Sequence, residues 1–140
     1  MDVPAPPFPF DESFLDASGK HRRFRIDGDA GPLCWVLIAR EIDPADEGYE
    51  FQSSSESNWS LALGKLRSKI RRELATRYLD PSAESPELLH DTLRGYISCD
   101  RANKAILVVD GRALSIEQLG HLLATHEGFT FQLTITDPSD

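Results

Sequence analysis

The spacing of hydrophobic and polar positions changes along the chain, and each change predicts a different element. Between Lys20 and Asp27, Arg22, Phe24 and Ile26 alternate with His21, Arg23 and Arg25. That period of two is the signature of a half-buried strand, with Asp27-Gly28-Asp29 as its closing turn. Leu33 to Glu41 is nearly all apolar, with Leu33, Trp35, Leu37 and Ala39 on one face and Cys34, Val36 and Ile38 on the other, which predicts a strand that is central or covered on both sides. Asp43-Pro44-Ala45-Asp46-Glu47-Gly48 then turns the chain, and Tyr49 and Phe51 open a third strand that runs into Ser53-Ser54-Ser55.

The period then lengthens. Trp59, Leu63, Leu66, Ile70, Leu74 and Tyr78 recur every three or four residues, one stripe of a long amphipathic helix capped by Ser57 or Asn58 and ended by Asp80-Pro81. Ser85-Pro86-Glu87 reads as the start of a shorter helix through Leu88, Leu89 and His90. Arg94 to Cys99 and Lys104 to Val109 form a hairpin around the polar loop Asp100-Arg101-Ala102-Asn103, and Asp110-Gly111 turns the chain again. Ser115 with Gln118 makes a capping box for a helix whose apolar positions are Ile116, Leu119, Leu122 and Leu123, and Gly128 stands at its C-terminal cap. Last, Phe129, Phe131, Leu133 and Ile135 alternate with Thr130, Gln132, Thr134 and Thr136, the clearest strand pattern in the sequence, followed by the acidic tail Asp137-Pro138-Ser139-Asp140. The order βββα(α)ββαβ predicts an α+β domain on a mostly antiparallel sheet, with one long amphipathic helix and a second, shorter C-terminal helix.

The first 14 residues follow no period. Pro4, Pro6, Pro7 and Pro9 are interleaved with Phe8, Phe10 and Phe14, and proline removes ladder donors, so residues 1–19 read as an extended arm ahead of a single domain at 20–140. Its phenylalanines, Phe8 and Phe10 above all, are expected to dock on the domain or on a second subunit. With the last strand at a sheet edge, the arm makes a homodimer the expected assembly. The size, 140 residues and 15.6 kDa, suits one core. No apolar run reaches the roughly 18–20 residues of a bilayer span, which leaves no membrane partner. The opening residues lack a secretory leader and Cys34 and Cys99 form no C-x-x-C pair, so the expected compartment is the cytoplasm.

Charge adds one feature. The net charge of −8 disfavours nucleic acid and anionic membrane on average. Residues 57–79, however, hold Lys65, Arg67, Lys69, Arg71, Arg72 and Arg77 against Glu73 alone, between two acidic stretches. Lys65, Lys69 and Arg72 fall within about 60° on one helix face and are the candidate residues for a phosphate or an acidic partner. The structural alternative is that the helix compensates the acidic surface of its own domain.

Candidate chemistry is sparse. His121 and His126 lie five apart, about 140° round a helix, and His90 and Asp91 point apart, so no metal site is assembled. Cys34 sits in an apolar strand as a small hydrophobe, Cys99 has no nominated base, and no Gly-x-Ser-x-Gly, Gly-x-Gly-x-x-Gly or P-loop pattern is present. No catalytic residue and no cofactor are predicted.

His21-Arg22-Arg23-Phe24-Arg25-Ile26, Ala39-Arg40-Glu41-Ile42, Gly48-Tyr49-Glu50-Phe51, Arg94-Gly95-Tyr96-Ile97, Val109-Asp110-Gly111-Arg112 and Thr125 to Leu133 stand in fixed order along the chain. In order and spacing these stretches resemble a family of uncharacterised bacterial cytoplasmic proteins. The resemblance covers about residues 20 to 140. Some relatives carry a Cys-rich ribbon ahead of this region; residues 1–19 here contain no cysteine, so no zinc role is carried over. The resemblance implies domain limits and no activity. The expected function is therefore a non-catalytic protein-binding or regulatory module, with an inhibitor- or immunity-like role as its narrower form. The alternatives are a nucleic-acid-binding protein using the basic helix, or an enzyme whose site is assembled from distant residues.

Overall fold

The computed structural model describes residues 5–139, which divide into two compact units. The first takes the chain up to Asp43, then Glu50–Thr76 and the stretch from Asp137; the second takes Pro44–Tyr49 and Arg77–Thr136. The class is α+β with antiparallel pairing, as the patterning predicts, and the strands form two sheets where the pattern suggested one.

In the first unit β1 (Phe10–Leu15), β2 (His21–Ala30), β3 (Trp35–Glu41) and β4 (Glu50–Ser55) pair in sequence order as an antiparallel meander. The register aligns Phe10, Ile26, Ala39 and Phe51 across one face. On that face Phe24, Ile26, Leu37 and Ala39 are fully buried, together with Ala62, Leu66 and Ile70 of α1 (Trp59–Leu74). Asn58 caps α1, its side chain accepting from the Leu61 N–H at 2.8 Å. β3 is central, as its composition requires, and Val36 and Ile38 on its other face are half-buried.

Two expectations fail here for identifiable reasons. The proline-rich start, of which residues 1–4 lie outside the described chain, gives way at Phe10 to a strand where the sequence suggested an arm as far as residue 19. From Phe10 to Leu15 every residue has an N–H, and an edge strand needs ladder bonds on one side only. The turn at Asp27-Gly28-Asp29 is absent as well. β2 runs through it, and the reversal comes at Gly31, whose N–H donates to the Cys34 carbonyl at 2.9 Å. Gly28 answers to packing: a Cβ there would stand 2.5 Å from the Phe8 ring and 2.8 Å from Leu37 Cδ2.

The second unit holds β5 (Tyr96–Cys99), β6 (Ala105–Val109), β7 (Arg112–Ser115) and α2 (Ile116–Ala124). β5 and β6 form the expected hairpin, and Asp110 and Gly111, both at positive φ, close β6 onto β7. The capping box on α2 is complete, with Ser115 accepting from the Gln118 N–H and the Gln118 side chain accepting from the Ser115 N–H. Loop Pro44–Tyr49 belongs to this unit because the Gly48 N–H donates to the Gly111 carbonyl at 2.7 Å and the Tyr96 hydroxyl donates to the Gly48 carbonyl at 2.9 Å.

Two predicted elements do not form. Around Ser85 to His90 the chain makes turns and an isolated bridge, Leu79 with Leu88, because the Leu89 and Asp80 N–H groups pair with the Tyr78 and Glu87 carbonyls instead of closing a helix. The Asp110 carboxylate anchors this arrangement, accepting from the Tyr78 and Leu79 N–H groups at 3.0 and 2.9 Å. Residues 129–136, the clearest strand pattern, lie in no ladder of the described chain. A period of two encodes the capacity to pair; it does not supply the edge.

Candidate functional site

The basic helix is held against its own unit. Arg67 makes a bidentate pair with Glu12 of β1, at 2.7 and 2.9 Å, and Arg71 lies over the Phe14 ring at 5.6 Å. Lys69 donates to the Gln52 carbonyl at 2.6 Å and to the Pro138 carbonyl at 2.8 Å, while Lys65 donates to the Ser54 carbonyl at 3.3 Å. These carbonyls belong to β4, an edge strand, and to the C-terminal stretch beside it, where Ser54 Oγ also donates to the Ser139 carbonyl at 3.0 Å. Two lysines of the candidate stripe therefore cover a sheet edge, a common device against unwanted strand pairing. Arg72 is exposed, with Glu73 at 3.8 Å.

Phe8 and Phe10 are likewise engaged within the first unit. Phe8 stands 5.8 Å from Phe10, 6.2 Å from Trp35 and 5.8 Å from Trp59, the last edge-on. Both rings are half-buried, docked on their own sheet and helix, one of the two placements the sequence allowed.

A buried ionic cluster escaped the sequence reading. Asp16 and Glu41 flank Arg22, at 2.9 and 3.1 Å from its guanidinium, and Ser18 Oγ and the Ser18 and Lys20 N–H groups also donate to Asp16. Burial works against the ionised form of Asp16, but the hydrogen bonds from Ser18, Arg22 and Lys20 outweigh it and hold the carboxyl far below the usual carboxylate range. The available signal was Arg22 itself, a charge at an inward position of an alternating strand. The cluster fastens the β1–β2 turn and is structural.

Among the described residues no group of three or more His, Cys, Asp or Glu converges as metal ligands, Cys34 and Cys99 are free thiols, and His126 packs edge-on against Phe129 at 5.5 Å just past the α2 cap. The depressions are shallow. One of about 310 Å³ is lined by Asp27, Gly28, Asp29, Val36 and Ile38, and one of about 410 Å³ lies beside Ser54, Glu56, Ser57 and Lys65. No described helix is long and apolar enough to cross a membrane.

What stands out is apolar surface in the second unit. Phe129, Phe131, Leu133 and Ile135 are 71–89% exposed, and Ile97, Ile116 and Leu123 are about half exposed. Four apolar side chains at period two in one uncharged octet are the composition of a buried strand, displayed to solvent. The pattern was legible in the sequence; its exposure was not.

Comparison with known proteins separates the same two regions. Residues 6–75 match the model of a domain of unknown function (DUF7686), and residues 76–140 match that of another domain of unknown function (DUF7713). No curated protein and no solved structure matches the chain. The junction between the two matches, at residues 75 and 76, lies one residue before the passage from Thr76 to Arg77, where the main stretches of the two units meet in sequence. The chain thus belongs to the DUF7686 family through its first half, and its second half is similar to the DUF7713 domain.

Proposed function

We propose that this chain is a non-catalytic protein-binding module whose binding element is the segment 129–136. The observation that carries the reading is the exposure of Phe129, Phe131, Leu133 and Ile135 in strict alternation with Thr130, Gln132, Thr134 and Thr136. An extended segment of this kind gains ladder hydrogen bonds and buries one apolar face when it joins the edge of a sheet, the mode known as β-augmentation. The partner is a protein that offers such an edge, and a second copy of this chain offers one. Nucleic-acid binding through Lys65, Lys69 and Arg72 is the weaker reading, since the two lysines already serve the β4 edge. A reducing compartment such as the cytoplasm suits the free thiols of Cys34 and Cys99.

The test compares the full chain with a variant carrying Phe131→Asp and Leu133→Asp as baits in extract of the native host. Captured proteins are identified by mass spectrometry, and each is then titrated, purified, against both baits. A partner that binds the wild-type chain at least tenfold tighter than the variant supports the proposal. Equal binding to both overturns it. Filter binding to nucleic acid at low salt, abolished by Lys65→Glu, Lys69→Glu and Arg72→Glu together, would move the assignment to the basic helix.

A further inference from the structure

We infer that the partner of segment 129–136 is a second copy of the same chain, and that two copies exchange these segments, each adding it to the open β5 edge of the other's β5–β6–β7 sheet. The inference rests on the protein-binding reading above and names the partner and the receiving surface.

The sheet edges of the molecule are treated unequally. In the first unit, β4 has its edge carbonyls covered by Lys65 and Lys69, and β1 carries Asp11 and Glu12. Charge on or beside an edge strand is how proteins keep edges from pairing. In the second unit β7 carries Arg112, and its inward Leu114 is fully buried. β5, Tyr-Ile-Ser-Cys, carries no charge and, among the described residues, pairs with β6 alone. The register places Ile97 on the same face as Leu107 and Leu114, the face that forms a small core with Leu122 of α2. Ile97 is nevertheless 54% exposed. A strand is missing beside it.

Segment 129–136 has the matching composition. It holds no charged residue, and its apolar side chains share one face, so a strand laid along β5 would set them in line with Ile97 and bring its backbone donors and acceptors to an uncharged edge. The exposed apolar side chains of one segment offer roughly 500 Å². Two reciprocal sites, counting both surfaces of each, fall within the roughly 1,200–2,000 Å² of a stable dimer. A single chain places the segment at high effective concentration near its own edges, and there it enters no ladder.

Complementation tests the exchange. One variant has a broken segment (Phe131→Asp with Leu133→Asp) and an intact edge; the other has a blocked edge (Ile97→Lys) and an intact segment. All these side chains are at least half exposed, and unchanged far-ultraviolet circular dichroism and thermal midpoint relative to the wild-type monomer at high dilution certify folding. By sedimentation or light scattering the wild-type chain is expected at twice 15.6 kDa and each variant alone at 15.6 kDa. An equimolar mixture is expected to dimerise again, at least tenfold more weakly than the wild type, because one exchange site survives. A wild-type chain that stays monomeric at several hundred micromolar overturns the second copy as partner and leaves the binding reading to the host-partner titration. A dimer that persists in the broken-segment variant overturns this proposal by placing the interface elsewhere. A dimeric wild type whose variants do not complement overturns the assignment to β5.

Discussion

The two halves of the chain use the same ingredients, a small antiparallel sheet and a helix, and reach different degrees of closure. In the first unit α1 supplies Ala62, Leu63, Leu66, Ile70 and Leu74 to a sheet face carrying Phe14, Phe24, Ile26, Leu37 and Ala39, and all ten side chains are buried. In the second, α2 buries Leu122 alone and leaves Ile116 and Leu123 about half exposed. The buried cluster there is Leu79, Val109, Leu114 and Leu122. Propensity does not explain the contrast, since the shorter helix has the better cap, a full capping box. The difference lies in strand number and edges. Four strands under a 16-residue helix make a covered layer, whereas three strands of four or five residues under a 9-residue helix do not.

The comparison breaks first at the closed core. Phe24→Ala should cost about 4 kcal/mol, since a fully buried ring is removed from a layer that cannot collapse around it. Denaturant titration followed by Trp35 and Trp59, both in the first unit, reads that loss directly. Asp16→Asn comes next, at about 3 kcal/mol, because it leaves the buried Arg22 with half its counter-charge. The same carboxylate gives the first unit an acid limb. With its pKa held low in the folded state, Asp16 contributes its full stabilisation above the unfolded value near pH ~4 and loses it progressively as the pH falls toward the folded value. The midpoint of the wild-type chain should therefore fall between about pH 4 and 2 more steeply than that of Asp16→Asn.

Smaller effects sharpen the contrast. Leu122→Ala should cost about 2 kcal/mol, at the low end for a buried leucine because its surroundings are already open, read as faster amide exchange in β6 and β7. Gly28→Ala should cost about 1–2 kcal/mol by driving the Phe8 ring off its seat, with a change in tryptophan emission, and Phe8→Leu in the same chain should recover part of it. Smallest of all, Phe131→Ser should leave the stability of the monomer within about 0.5 kcal/mol of wild type, because the ring touches little in the isolated chain.

Much of the fold was legible because it is local. The stripe from Trp59 to Leu74, the alternation of Phe24 and Ile26 and the Ser115 capping box each encode their element within a few residues. What failed depended on distant partners. Gly28 reads as a turn until Phe8 is seen to occupy the space above it, and Ser85 to His90 reads as a helix until the Tyr78 carbonyl takes the Leu89 N–H. The bonds from Lys65 and Lys69 to the β4 carbonyls leave no trace in composition. Residues 129–136 are the reverse case, where the alternation is plain in the sequence and no ladder among the described residues takes the segment.

Residue-resolved amide hydrogen exchange as a function of protein concentration tests the central claim most directly. At high dilution amides of 130–136 should exchange at nearly the rate of an unstructured peptide while those of β2 and β3 remain protected. On concentration, alternate amides of 130–136 and the outward amides of β5 should gain protection together, at least a hundredfold, with β2 and β3 unchanged. Protection of 130–136 that is already present at high dilution and does not vary with concentration would contradict the account, because the segment would then be paired within its own chain.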